Sequence, residues 1–208
     1  MKTSSILPGA LLFALCLACL GCTKNLTTVV EDKERRGLAI FSNTKNNLMT
    51  CYIGATPWRT SPRIVNFLIG GTRYELTVAK SATSSALDTL SFNWSGAFLG
   101  NINQNGNIGL VLPVPKTFDY TTFLSLQGQR LAINTTNGYF TLNLVNNNTV
   151  YGKGTGNIYF HKAQLDSIGP RIYGGTLSGI FDADFNTIKV ENGRFDHSVG
   201  SDVNVFLR

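Results

Sequence analysis

Apolar and polar residues alternate with a period of two through most of the chain beyond residue 38. In TLSFNWSGAF, Leu90, Phe92, Trp94, Gly96 and Phe98 fall on one face, and Thr89, Ser91, Asn93, Ser95 and Ala97 on the other. RYELTVA sets Tyr74, Leu76 and Val78 against Arg73, Glu75 and Thr77, and YFTLNLV sets Phe140, Leu142 and Leu144 against Tyr139, Thr141 and Asn143. Successive side chains of a strand point to opposite faces, so each run predicts a strand with one face in a core and one in water. One-sided strands of this kind belong to antiparallel sheets rather than to parallel sheets covered on both faces. GIFDADF places Phe181, Ala183 and Phe185 inward and Asp182 and Asp184 outward. In IKVENGRF, Ile188 and Val190 share a face while Phe195 has the opposite parity. That mismatch predicts a bulge at Asn192-Gly193 that returns Phe195 to the core.

The punctuation between these runs supports the same class. Asn-Gly occurs at Asn105-Gly106, Asn137-Gly138 and Asn192-Gly193, and IGGT (69–72) and NNN (146–148) separate further runs. Asn tolerates a left-handed backbone and Gly is indifferent to it, so such pairs suit tight hairpin turns. Short strands with turn signals every dozen or so residues predict an all-β domain, an antiparallel β-sandwich or a sandwich-like barrel. No helical period stands out after the first 21 residues, and no repeat of fixed length is present.

The beginning of the chain is different. Residues 6–20 are apolar or small and carry no charge, behind a short head with Lys2 and ahead of the polar run that starts at Cys22. A charged head, an apolar stretch and small residues before a cut make a secretory signal peptide. The stretch is shorter than the roughly 20 apolar residues of a membrane span. Three of the four cysteines lie in it or just after it, at 16, 19 and 22, spaced C-x-x-C-x-x-C. A cluster or zinc site needs a folded scaffold around its ligands, and a signal peptide supplies none. The run CLGC resembles a bacterial lipobox. It makes Cys22 the expected lipidated first residue of the mature chain, with Cys19 as the alternative, and the lipid would anchor the protein without spanning the membrane. The organisation expected is a signal peptide over 1–21, a lipid-anchored flexible tether over 22–37, and a single β-sandwich domain over 38–208.

Charge adds little. The chain carries 18 Lys and Arg against 12 Asp and Glu, a formal net charge of +6, spread without a basic cluster. A concentrated patch is what nucleic-acid binding needs, so no nucleic-acid partner is expected. Cys51, in the apolar run MTCYIG, reads as a small buried hydrophobe rather than a nucleophile. His161 and His197 are the only histidines and read as surface positions at strand ends. Asp182, Asp184 and Asn186 spell D-x-D-x-N, the opening of a calcium loop. The sixth and twelfth positions are Thr187 and Gly193 where such a loop needs Gly and Glu, so the two aspartates are weak metal candidates and no cofactor is expected. No nucleophile elbow, P-loop or dinucleotide fingerprint is present. Trp58, in ATPWRTSP with Arg59 beside it, has two readings: an aromatic turned toward a ligand, or a plug in one end of the sandwich. Tyr120, Tyr139, Tyr151, Tyr159 and Tyr173 add further rings that offer flat apolar faces to a ligand such as a sugar.

The last third carries a resemblance. GTGNIYFHKAQ, RIYGGTLSGIFDADF and IKVENGRFDH follow one another, with Gly156, Ile158 and Phe160 in the first, Gly175, Thr176, Leu177, Ser178, Gly179, Phe181 and Ala183 in the second, and Ile188, Val190, Asn192, Gly193 and Phe195 in the third. This order resembles the closing pattern of small Bacteroidota cell-envelope lipoproteins that carry a domain of unknown function. GATPW (54–58) resembles their hairpin tip, without its Asp and Lys. The resemblance implies a β-sandwich-like lipoprotein of the envelope, expected at the outer membrane, and implies no activity. The function expected is a non-catalytic binding or scaffolding module whose partners are the membrane, through its lipid, and a glycan or another envelope protein. Two further readings are a carbohydrate-binding accessory lipoprotein and a fimbria-like structural subunit, the latter suggested by the ERRG segment (34–37).

Overall fold

A computed structural model describes residues 32–42, 46–60, 64–66, 71–73, 75–83, 86–145, 149–167, 173–200 and 205–207. Among them thirteen strands follow in order: β1 (Leu48–Ile53), β2 (Thr56–Thr60), β3 (Ile64–Asn66), β4 (Gly71–Arg73), β5 (Leu76–Ala82), β6 (Leu87–Phe98), β7 (Asn101–Pro115), β8 (Arg130–Ile133), β9 (Tyr139–Leu144), β10 (Thr149–Ser167), β11 (Tyr173–Asp184), β12 (Lys189–Gly200) and β13 (Val205–Phe206). Eight of them close a ring in the order β6-β2-β1-β12-β11-β10-β9-β7, with β7 pairing back onto β6 and every neighbour antiparallel. The sheet is therefore a barrel, the second of the two all-β architectures expected from the sequence.

Long strands let the ring carry additional neighbours. The full length of β6 pairs with β7 on one edge, while its other edge pairs with β2 near Phe98 and with β5 over residues 88–94. β13 adds to β5 in the one parallel pairing among the described residues. β10 pairs with β11 along one edge and with β9 and then β8 along the other. β3 and β4 form a separate two-stranded hairpin.

The alternation read from the sequence fixes which way each strand faces. Leu90, Phe92, Trp94 and Phe98 of β6, Phe140 and Leu142 of β9, and Phe181, Ala183 and the adjoining Phe185 of β11 are all buried. Eight strands leave an interior that side chains can fill, and here aromatic rings fill it. Phe92, Trp94, Phe140, Phe160, Phe181 and Phe195 contact one another with ring centroids 5.4 to 6.4 Å apart. Outward positions such as Asn93, Asp182 and Glu191 are polar and exposed. Apolar inside and polar outside is the reverse of a membrane-crossing barrel, whose lipid face is apolar.

The bulge expected at Asn192-Gly193 is present. The β11–β12 register shifts between Phe181 and Ala183, Asn192 takes a left-handed φ of 54°, and Phe195 is buried. Two expectations need correction. Asn105-Gly106 is no turn but lies inside β7. A Cβ on Gly106 would stand 2.9 Å from the Leu144 side chain and 3.7 Å from the Trp58 indole nitrogen, so this glycine admits a ring rather than a reversal. The tight reversals fall instead at Gly54 (φ 61°) between β1 and β2, at Gly100 (φ 84°) between β6 and β7, and at Asn186 (φ 67°) between β11 and β12. A short 3₁₀ helix, Thr122–Leu126, was not foreseen. Asp119 starts it by accepting from the Thr121 and Thr122 amides at 2.9 Å each. Phe123 and Leu126 sink into the core, and Gly128 N–H donates to the Phe160 carbonyl at 2.8 Å, fastening the turn to β10.

Of the segment expected as a tether, residues 22–31 lie outside the described residues. Residues 32–42 lie on the outer wall over β1 and β12. Arg194 of β12 donates to Asp32 Oδ2 at 2.6 Å and to the Ala39 carbonyl at 3.0 Å. Ala39 N–H donates to Thr50 Oγ1 at 3.3 Å, and Ser42 Oγ donates to Asp196 Oδ2 at 3.0 Å. Under this strap Leu38 is wholly buried outside the main core, and the outward-facing Ser178 is buried too.

Candidate binding groove

The outer wall of β8, β10, β11 and β12 carries a groove of about 610 Å³, bordered at one side by Arg35 of the strap. Strand register builds it in rows. In one row Arg130 of β8 stands opposite Tyr159 of β10, Tyr159 opposite Ile180 of β11, and Ile180 opposite Arg194 of β12. Two residues along, Asn157 stands opposite Asp182, with Glu191 at the β12 bulge beside it. Two further along, Asp184 stands opposite Lys189. Rows two residues apart on a strand are separated by about 7 Å. An apolar and cationic row thus runs beside an acidic and amide row.

The interactions inside the groove are unequal. The Arg130 guanidinium lies 5.7 Å from the centre of the Tyr159 ring, a cation–π contact. Beyond Tyr159 the His161 and Phe41 rings follow at 6.2 and 5.5 Å. Ile180, large and apolar, is 44% exposed. Lys189 and Asp184 form an exposed ion pair at 3.7 Å. Asp32 takes Arg194 at 2.6 Å and Arg35 at 3.8 Å. The Glu34 amide first, and then the Arg194 guanidinium, hold the Asp32 carboxyl below the usual carboxylate range. Asp182 and Glu191, exposed in the acidic row, enter no ion pair among the described residues.

The residues singled out in the sequence do not fall in one place. Asp182 and Asp184 both line the groove. Among the described residues no group of three His, Cys, Asp or Glu side chains is placed to hold a metal ion. Trp58 takes the inward of its two readings. It is completely buried in the barrel core, its ring against Gly96, so it does not face a ligand. Arg59 follows on the opposite, exposed face of β2, away from the groove lining. Cys19 and Cys22 lie outside the described residues. Cys51 is wholly buried, and burial pushes its thiol well above its ordinary range, which leaves it protonated and inert.

His161 is exposed, as expected, but His197 is not. β12 continues past Phe195 to Gly200, so His197 takes an inward place opposite Leu177 and is 1% exposed. Its Nε2 has no hydrogen-bond partner among the described residues, and burial pushes its pKa down to about 3. The missed signal was parity: Phe195, His197 and Val199 are spaced two apart, all on the buried face. The groove itself was not legible from spacing along the chain, because its rows run across four strands. Tyr159 was visible only as one ring among several.

No protein-family model matches the chain, and neither a curated protein nor a solved structure matches it.

Proposed function

We propose that this protein is a non-catalytic lipoprotein of the cell envelope, a binding module held to the outer membrane by lipid on Cys22, with the β8–β10–β11–β12 groove as its ligand face. One observation carries the binding part. The barrel interior is packed with rings, whereas the outer wall keeps a concave, polar-rimmed groove with an exposed Ile180 and two carboxylates that enter no ion pair among the described residues. Concave sites with an apolar floor and a few converging polar groups are where ligands bind. Two buried groups with perturbed pKa among the described residues, Cys51 and His197, face the core and take no part in the groove. That separation supports a module without turnover. The anchor rests on the sequence, on an apolar stretch that ends in CLGC and the polar chain beyond it. Kinship with small Bacteroidota envelope lipoproteins is part of the same reading, through the GTLSGIFDADF and IKVENGRF runs. The fimbria-like alternative draws no support from the fold, since the eight-strand ring is complete among the described residues and offers no gap for a donated strand.

Two measurements test the reading. Changing Cys22 to Ala should move the protein from the membrane fraction to the soluble one and abolish labelling by a palmitate analogue. Labelling that persists would shift the anchor to Cys19. In the second measurement, envelope extract is passed over the immobilised protein. A ligand retained by the natural chain and lost from Tyr159→Ala supports the groove. Retention of nothing at all refutes the binding module.

A further inference from the structure

Resting on the binding-module reading, we propose that the groove takes carbohydrate, a short run of neutral pyranose units laid across β10 and β11. Charge speaks first. The lining holds four cations, Arg35, Arg130, Lys189 and Arg194, against the carboxylates Asp182, Asp184 and Glu191. Asp32, bound to both Arg194 and Arg35, supplies a fourth. The groove is thus balanced although the chain as a whole carries +6. A balanced groove does not attract an anionic surface or a nucleic acid, whose binding rests on concentrated positive charge.

The polar groups of the groove specify the ligand further. Asp182 and Glu191, as carboxylates, have only acceptor oxygens to offer and enter no ion pair among the described residues. Asn157 both donates and accepts, and Arg130 donates from above the Tyr159 ring. A ligand with many neutral hydroxyls satisfies all of these at once, because each hydroxyl donates and accepts. Hydrogen bonds to the carboxylates are then charge-assisted and strong. Beside the acidic row, the exposed Ile180 and the Tyr159 ring present an apolar strip about 7 Å away, one strand repeat. A pyranose has the matching two-sidedness, with hydroxyls at its rim and C–H groups on its face. A volume of about 610 Å³ lies within the range of small-ligand sites.

The test uses the full chain, immobilised and exposed to maltotetraose, cellotetraose, chitotetraose, mannotetraose and, as the charged comparison, tetragalacturonate. Three variants are run alongside: Tyr159→Ala, Asp182→Asn and, as an aromatic control on the outer wall of β9, Tyr139→Ala. The expected result is binding of at least one neutral tetrasaccharide, unchanged in Tyr139→Ala. Asp182→Asn weakens it by about tenfold, as loss of one hydrogen bond to a charged group does, and Tyr159→Ala weakens it at least as much. Binding that both groove variants leave intact overturns the placement in the groove. Binding of tetragalacturonate alone overturns the neutral class. If no sugar binds, the carbohydrate inference fails, and the envelope-extract experiment then decides the wider reading separately. A protein retained through Tyr159 would leave the module standing with a different partner, and retention of nothing would remove both. Circular dichroism of each variant confirms that a loss of binding is not a loss of fold.

Discussion

The two faces of β10, β11 and β12 are made by alternate residues of the same strands, yet they obey different rules. Inward, Ile158, Phe160, Leu177, Phe181 and Phe195 are buried almost completely and touch each other's rings or chains. Outward, Asn157, Tyr159, Ile180, Asp182 and Glu191 keep contact with water and line a groove. The inner face is constrained by volume, because interiors are packed to near-crystalline density. The outer face is constrained only by what it meets. In a strand the two constraints separate residue by residue, so fold and binding can be probed on one strand by substitutions one position apart.

The largest effect is expected on the inner face. Phe181 packs against Trp94 at 6.0 Å, Phe140 at 5.8 Å and Phe195 at 6.4 Å. Phe181→Ala removes a ring from the middle of that cluster and should cost about 3–5 kcal/mol, the usual range for emptying a buried aromatic site. Denaturant unfolding followed by tryptophan fluorescence reads it directly, since Trp94 is the neighbour. A cost below about 1 kcal/mol would mean that the interior is looser than its burial indicates.

How much of this division is legible in the chain depends on distance along it. The facing of β6, β9 and β11 follows from alternation alone, because one face of each is in the core. The bulge at Asn192-Gly193 is legible for the same reason, since Phe195 has the wrong parity without it. Closure of the ring is not local: β1 reaches β12 across most of the chain. Asn105-Gly106 looks like a turn because turns use those residues, but here Gly106 makes room for Leu144 and Trp58. The segment DHSVG after Phe195 looks like a polar exit from a strand, yet pairing with β11 carries it on to Gly200. The groove is the least legible feature, being a product of register between strands.

His197 gives the comparison an exception, a titratable group on the inner face. Its folded pKa, about 3, lies below the unfolded value near 6.5. The folded state therefore prefers the neutral ring. That preference costs nothing above pH 6.5, and stability is lost as the pH falls from 6.5 toward 3, because unfolding lets the ring take a proton. The slope approaches about 1.4 kcal/mol per pH unit within that window. Ordinary carboxylates titrate nearer pH 4, so thermal unfolding between pH 6.5 and 5 isolates the histidine. His197→Leu should flatten the profile there. An unchanged profile would show that the ring reaches a proton or a partner inside the folded barrel.

The strap tests the outer face where it is covered. Arg194→Ala removes the donor that holds both Asp32 and the Ala39 carbonyl. The barrel should remain folded, since Arg194 faces outward, while residues 32–42 lift from the wall. Trypsin should then cut at Arg35 and Arg36 faster than in the natural chain, and amide exchange should rise at Ala39, whose N–H donates to Thr50. Protection that persists would assign the hold on the strap to the buried Leu38 and to the bonds that Asp196 accepts from Ser42 Oγ and the Asn46 amide.

The smallest effect is expected one position from the largest. Asp182 follows Phe181 and points the other way, exposed and without an ion pair among the described residues. Asp182→Asn keeps the shape and removes the charge. Surface substitutions outside a cap, a network or a strained backbone change stability by about 0.5 kcal/mol or less. The sign should be slightly favourable, because Glu191 lies at the facing β12 bulge and like charges close together on a sheet repel. Measured in the same denaturant series as Phe181→Ala, the two variants should differ by several kcal/mol although their positions adjoin. A carboxylate that is neutral or mildly costly to the fold has to be explained by what it meets from outside. Destabilisation by Asp182→Asn comparable to that of Phe181→Ala would place Asp182 among the residues that build the barrel and remove it from the ligand face.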